Sequence, residues 1–209
     1  MFWRESLQVF KPSEQPISQL KVVIAGGFGA GKTTLVARTS EIEPISTDEQ
    51  LTTAGIGTDR LDGVEAKTST TVAFDFGRIS LRSQNLDLYL FGTPGQARYQ
   101  FMWNDIVDGA IGAVVLADTR RLEDSFDPVN YFLRLGLPFI VGVNLFEGSA
   151  RYPIERVREA LRLDADVPVV GCDARDSRSG RHVLITLVKH AHTRAVRARH
   201  TRPSTSLAD

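Results

Sequence analysis

The run Gly26-Gly27-Phe28-Gly29-Ala30-Gly31-Lys32-Thr33 fits GxxxxGKT and follows directly on the apolar stretch Lys21-Val22-Val23-Ile24-Ala25. No other feature constrains the fold as tightly. A buried strand must deliver the glycines and a helix must leave them, so that backbone N–H groups and the positive helix end converge on one anion. Gly26, Gly27, Phe28, Gly29, Ala30, Gly31, Lys32, Thr33 and Thr34 are therefore candidate contacts to a nucleotide's phosphates. Lys32 is placed to reach the β- and γ-phosphates, and the Thr33 hydroxyl is a candidate Mg²⁺ ligand.

The remaining patterns repeat the strand-then-helix unit. Strands are expected at Leu20–Ala25, from Thr70 through Arg82, and at Leu86–Phe91, Ala110–Ala117, Pro138–Val143 and Val167–Val170. Helices are expected from Lys32 to about Ser40, from Tyr99 to Val107, from Leu122 to Leu135 with an interruption near Pro128, from Pro153 to about Leu163, and from Ser179 to about Arg199. Residues 41 to 69 are polar, contain Pro44, Gly55, Gly57 and Gly63, and read as one long functional loop. The whole predicts an α/β fold with a mostly parallel six-stranded sheet and helices on both faces, whose ligand sits beyond the carboxyl ends of the strands. Residues 1–19 read as an N-terminal arm, 20–192 as one domain and 193–209 as a basic tail.

Composition excludes several alternatives. The 25 basic and 25 acidic residues cancel, which gives no global field for nucleic acid. Cys172 is the single cysteine, so no intramolecular disulfide forms, and a small buried role is expected for it. No apolar run approaches the ~20 residues of a membrane span, and the start does not resemble a signal peptide, so a cytoplasmic location is expected. The basic residues Lys189, Arg194, Arg197, Arg199 and Arg202 read as a solvated tail, with peripheral membrane contact left open. The histidines form no metal-binding spacing.

From about Leu20 to Ala191 the motifs resemble those of Ras-like small GTPases, and more narrowly of the bacterial gliding-motility polarity GTPases and the ATP/GTP-binding proteins of conservon operons. That resemblance implies a three-layer P-loop NTPase of the Ras-like G-domain type, with GTP or GDP as ligand and Mg²⁺ as cofactor. It implies that Thr71, with Thr70 as competitor, completes the Mg²⁺ shell and senses the γ-phosphate. Gly92-Thr93-Pro94-Gly95-Gln96 stands where the family has DxxGQ, so glycine replaces the expected aspartate. Gly95 would bond the γ-phosphate through its N–H, and Gln96 would orient the attacking water.

Asn144-Leu145-Phe146-Glu147 stands where NKxD is usual, which assigns Asn144 and Glu147 to the base. A carboxylate accepts from the guanine N1–H and exocyclic amine together, a pair that adenine does not offer. Asp173, Ala174 and Arg175 match the loop whose backbone meets the guanine O6. Phe28 occupies a position where Ras-type enzymes keep glycine, which implies slow turnover, with Arg60, Arg78 or Arg98 as candidate charges supplied in cis. The resemblance implies a Roadblock-type regulatory partner within a sensor-kinase system. The alternatives are a nucleotide-bound scaffold without hydrolysis and an ATP-dependent P-loop protein.

Overall fold

The computed structural model describes residues 17–51, 70–95 and 97–200, with the side chains of 45–51, 70–73 and 97–98 outside that description. Strands β1 (Ser18–Gly26), β2 (Ile45–Leu51), β3 (Thr70–Leu81), β4 (Leu86–Gly92), β5 (Ala110–Ala117), β6 (Phe139–Asn144) and β7 (Val169–Cys172) form one sheet. Its order is β2-β3-β4-β1-β5-β6-β7. The pairs β1–β4, β1–β5, β5–β6 and β6–β7 are parallel, while β3 is antiparallel to both β2 and β4.

All six expected strands are present, and a seventh, β2, joins the edge from within the stretch read as loop. Its sequence Ile-Ser-Thr-Asp-Glu-Gln-Leu is polar throughout its middle, the composition of an edge strand with no hydrophobic face to announce it. Helices α1 (Lys32–Thr39), α2 (Trp103–Val107), α3 (Phe126–Leu135), α4 (Ile154–Ala160) and α5 (Ser177–His200) complete the fold.

The sheet is buried on both faces because β1 alternates its allegiance. Val22 and Ile24 pack with Leu35, Val36, Leu184 and Leu187 of α1 and α5, whereas Val23 and Ala25 pack with Ile106, Val129, Phe132 and Val157 of α2, α3 and α4. α1 and α5 approach closely at Gly180, where any Cβ would collide with the Thr39 methyl. A glycine inside a helix costs about 1 kcal/mol relative to alanine, and here the close packing requires it.

Two expected helices differ in their first turns. Residues Ala97–Met102 are a 3₁₀ segment ahead of α2, and Leu122–Ser125 another ahead of α3. Pro128 falls in the first turn of α3, where its missing N–H has no intrahelical partner to lose, so it opens the helix instead of interrupting it. α5 continues to His200, past the boundary drawn after residue 192. No described helix is long and apolar enough to cross a membrane.

Candidate nucleotide site

The phosphate loop leaves β1 through Gly26 (φ 142°), and Gly29 (φ 73°) and Gly31 (φ 101°) share the left-handed conformations that fold its backbone inward. The Lys32 ammonium is held at the mouth by the carbonyls of Gly26 (3.0 Å) and Gly27 (2.7 Å). Burial lowers the Lys32 pKa to about 8, against the opposing attraction of Asp75. A cation stripped of water and facing an open loop is the arrangement that a polyphosphate would neutralise.

Asp75 was not among the sequence candidates, and it changes the site. The Thr33 hydroxyl donates a 2.7 Å hydrogen bond to Asp75 Oδ2. Asp75 is buried and pairs directly with Gly92 across the β3–β4 ladder. A Cβ at Gly92 would sit 2.9 Å from the Asp75 Cβ and 3.0 Å from its Oδ2. The carboxylate expected at position 92 is therefore not missing from the site; it enters from the neighbouring strand, through space that only a glycine leaves open. A lone acid between Phe74 and Phe76 was the available signal.

The Thr33 hydroxyl and the Asp75 carboxylate are hard oxygen donors, which fit Mg²⁺, an ion that takes one or two protein ligands and completes its shell with phosphate and water. Among the described residues no group of three or more His, Cys, Asp or Glu side chains gathers to hold a metal by itself.

Thr71 lies on β3, paired with Gln50, four residues before Asp75. At 3.3 Å per residue that separates the two by about 13 Å along the strand, so this arrangement does not bring Thr71 to the Thr33–Asp75 pair. Gln96, Arg60 and the side chains of Thr71 and Arg98 lie outside the described residues. Gly95 is described and sits on the loop mouth: a Cβ there would be 2.5 Å from Lys32 Nζ and 2.9 Å from the Gly27 carbonyl oxygen. The Thr93 N–H holds the preceding turn to the Ile24 carbonyl at 2.9 Å.

Phe28 is 63% exposed, and its carbonyl accepts a 2.7 Å hydrogen bond from Arg121 Nη2. Arg121, flanked by Asp118 at 4.0 Å and Asp124 at 3.9 Å, is thus an arginine at the phosphate loop that the sequence candidates did not include. Arg78 instead lies beside the end of α1, where its N–H donates to Ser40 Oγ at 3.2 Å.

Asn144 ends β6 and is buried. Its Nδ2 donates to the Ala30 carbonyl at 2.9 Å, and its Oδ1 accepts from the Ala174 N–H at 3.1 Å. One side chain therefore ties the phosphate loop to the loop after β7. The Ala174 N–H, expected to face a base oxygen, is committed to Asn144 in this arrangement. Glu147 is 92% exposed, and its carboxylate pairs with Arg175 at 3.6 Å. Arg175 also bonds both Asp173 oxygens at 3.0 Å, and that hydrogen bonding holds the Asp173 carboxyl below its usual range.

Nearby, the Arg120 guanidinium lies 3.7 Å from the centre of the Phe146 ring and is gripped by the buried Asp118 carboxylate. Cys172 is fully buried, and burial, reinforced by Asp173, pushes its thiol up to about 12, which leaves it unreactive as expected.

A phosphate loop between β1 and α1, with further loops from the carboxyl ends of β4, β6 and β7 gathered around it, defines a P-loop nucleotide-binding protein with a G-domain-like fold. Residues 24–194 match the family described as "conserved hypothetical ATP binding protein", and the chain belongs to that family. An uncharacterized protein of Methanocaldococcus jannaschii is 32% identical over 103 residues, covering 49% of this chain and 53% of the relative. The GTP-binding protein ypt3 of Schizosaccharomyces pombe is 26% identical over 114 residues, covering 54% of this chain and 44% of the relative. The chain thus spans about half the length of these curated relatives.

Among solved structures, the G domain of the T. maritima FeoB iron transporter superposes with a TM-score of 0.60 at 15% identity, over 83% of this chain and 99% of that one. The FeoB G-domain from Methanococcus jannaschii gives 0.57 at 11% identity, over 84% and 99%. At such identities the likeness is one of fold.

Proposed function

We propose that the chain is a GTP-operated regulatory switch of the cytoplasm that binds GTP or GDP with Mg²⁺ and hydrolyses GTP slowly, faster with a partner. The observation that carries this reading is the Thr33–Asp75 pair beside the Lys32 loop, which provides a cation for the phosphates and two oxygen donors for a metal. The Thr33 hydroxyl and the Asp75 carboxylate would hold Mg²⁺, which would supply neutralisation of the charge that develops on the phosphates. Lys32 would exchange its carbonyl partners for phosphate oxygens, and the Gly95 N–H would bond the γ-phosphate. Gln96, the next residue, would orient water for attack on phosphorus. Phe28 crowds that approach, the basis for a slow intrinsic rate.

In this reading Thr71 reaches the metal only after β3 and its hairpin partner β2 rearrange on GTP binding, and that rearrangement is what a partner would detect. A Roadblock-type regulator within a sensor-kinase system, and kinship with the gliding-motility and conservon group, belong to the same proposal. A further reading, binding without hydrolysis as a signalling scaffold, is separated by single-turnover hydrolysis with and without such a partner.

ATP as the ligand is supported by the family's description and by Glu147, which points to solvent in a pair with Arg175. Identification of the copurifying nucleotide, followed by calorimetry of GTP against ATP, decides between them. Tighter ATP binding would overturn the guanine assignment of Asn144, Glu147 and Asp173–Arg175.

A further inference from the structure

The chain is neutral overall, but its charge is unevenly placed. Residues 177–208 contain seven of the 25 Lys and Arg residues, all four His and no Asp or Glu, which leaves 18 basic against 24 acidic residues in positions 1–176. Most of the basic segment is α5. The helix buries Gly180, Val183, Leu184, Leu187 and Ala191 against the sheet and α1, and from residue 192 to His200 every position is exposed or half-exposed. The helix therefore continues about 13 Å beyond its last core contact.

The direction of that projection follows from the packing. α5 begins beside the nucleotide site, where Ser179 Oγ accepts from the Asp173 N–H at 2.9 Å. Its middle reaches the amino end of β5, where a Cβ at Gly112 would lie 2.9 Å from Leu187 Cδ1. The exposed turns thus leave the domain on the side opposite the phosphate loop.

A helix-end charge effect does not account for this cluster. Favourable cations complement the negative end only within the last turn, which covers Arg197, Arg199 and His200 but neither Lys189 nor Arg194. At 100° per residue, Lys189, His192, Arg197, Arg199 and His200 lie on an arc about 80–180° round the helix from Ala191, and the half-exposed Arg194, about 60° from it, borders the buried face. Val196, 37% exposed, lies within that arc. The carboxylate near this face is Asp166, which attracts His190; burial and the repulsion of Arg194 and Arg197 outweigh it and lower the pKa of that histidine, which is therefore left out of the positive count.

We propose that the carboxyl-terminal turns of α5 dock the protein on an anionic phospholipid surface, leaving the nucleotide site turned away from it. A broad cationic arc on an isolated helix suits a flat anionic surface. Residues 177–208 contain no Phe, Trp or Tyr, so the stacking platform that single-stranded nucleic acid uses is absent from the sequence. Among the described residues of α5, Val196 is the one exposed large apolar side chain, which makes the contact electrostatic, reversible and sensitive to salt. The inference rests on α5 alone and stands whichever nucleotide the protein binds.

The test is cosedimentation of the full chain with vesicles of phosphatidylcholine alone and of phosphatidylcholine with about one-third phosphatidylglycerol. Binding to the anionic vesicles only, abolished by about 0.5 M NaCl, is expected. The triple variant Lys189→Gln/Arg194→Gln/Arg199→Gln should lose at least tenfold in partitioning at unchanged thermal midpoint, whereas Arg134→Gln, an exposed change on α3, should bind like the parent. Should the triple variant fail to fold, Arg199→Gln alone, on the outermost turn, should still lower partitioning about fivefold, at ~1 kcal/mol per charge. Absence of binding at low salt, equal binding to both vesicle types, or retention by the variants overturns the proposal. So does tighter binding to duplex DNA than to anionic vesicles at the same ionic strength.

Discussion

Asp75 reaches Thr33 across a 2.7 Å hydrogen bond from the residue that pairs with Gly92 on the adjacent strand. A carboxylate and the glycine in the place usually given to it are thus opposite members of one antiparallel rung. A Cβ at position 92 would lie only 2.9 Å from the Asp75 Cβ, so either strand could deliver an acid to the same hydroxyl, but not both at once. The glycine at 92 is required by the acid at 75, because a side chain there would enter the space that Asp75 occupies.

Asp75→Asn should therefore weaken Mg²⁺-dependent triphosphate binding by about 10–100-fold, the usual effect of removing a group that supports a metal ligand. Binding in EDTA should change little. The measurement is the ratio of GTP affinities with and without Mg²⁺ by calorimetry, and an unaltered ratio would show that Asp75 takes no part at the metal.

Gly92→Asp in the parent protein should destabilise by about 1–3 kcal/mol, because the new side chain overpacks against Asp75. Combining it with Asp75→Gly removes the clash and returns a carboxylate from the other strand. The double variant should recover most of the lost Mg²⁺ dependence, at a residual stability cost of about 0.5–1 kcal/mol for a glycine within β3. Thermal melts and the same calorimetric ratio, read on all three variants, test the exchange as a coupled pair.

Much of this architecture was legible because buried parallel strands announce themselves as near-continuous apolar runs: Val22–Ala25, Ala113–Ala117 and Phe139–Val143 could be little else. β2 escaped because an edge strand such as Ser46-Thr47-Asp48-Glu49-Gln50 has no core face to pattern it. Asp75 and Arg121 escaped for another reason. Their roles depend on which strand or turn lies beside the phosphate loop, a relation set by sheet order and register and not by spacing along the chain. Asn144 was found, but as a base contact. Its bonds to Ala30 and Ala174 make it a tie between loops as well.

That tie predicts a stability effect separate from ligand binding. Asn144→Ala removes a buried donor and acceptor and leaves the Ala30 carbonyl and the Ala174 N–H unpaired at those contacts. Loss of about 2–4 kcal/mol is expected, since each abandoned buried group costs about 1–3 kcal/mol and nearby water offsets part of it. Chemical denaturation of nucleotide-free protein measures it. A loss seen only with nucleotide present would mean that Asn144 acts on the ligand alone.

Lys32 carries a pH dependence of definite sign. Its folded pKa of about 8 lies below the unfolded value of 10.5, so between those values the unfolded chain binds more protons than the native one. Stability of the nucleotide-free protein should rise with pH across that window, by up to about 3 kcal/mol at 1.36 kcal/mol per unit. Triphosphate affinity should move oppositely, falling as pH climbs through 8, because the phosphates select the charged ammonium. Binding above that pH should take up a proton, visible in calorimetry as a heat that depends on the buffer's ionisation enthalpy. Lys32→Met should abolish both the rise in stability and the proton uptake. Persistence of either in that variant would assign the titration to another group.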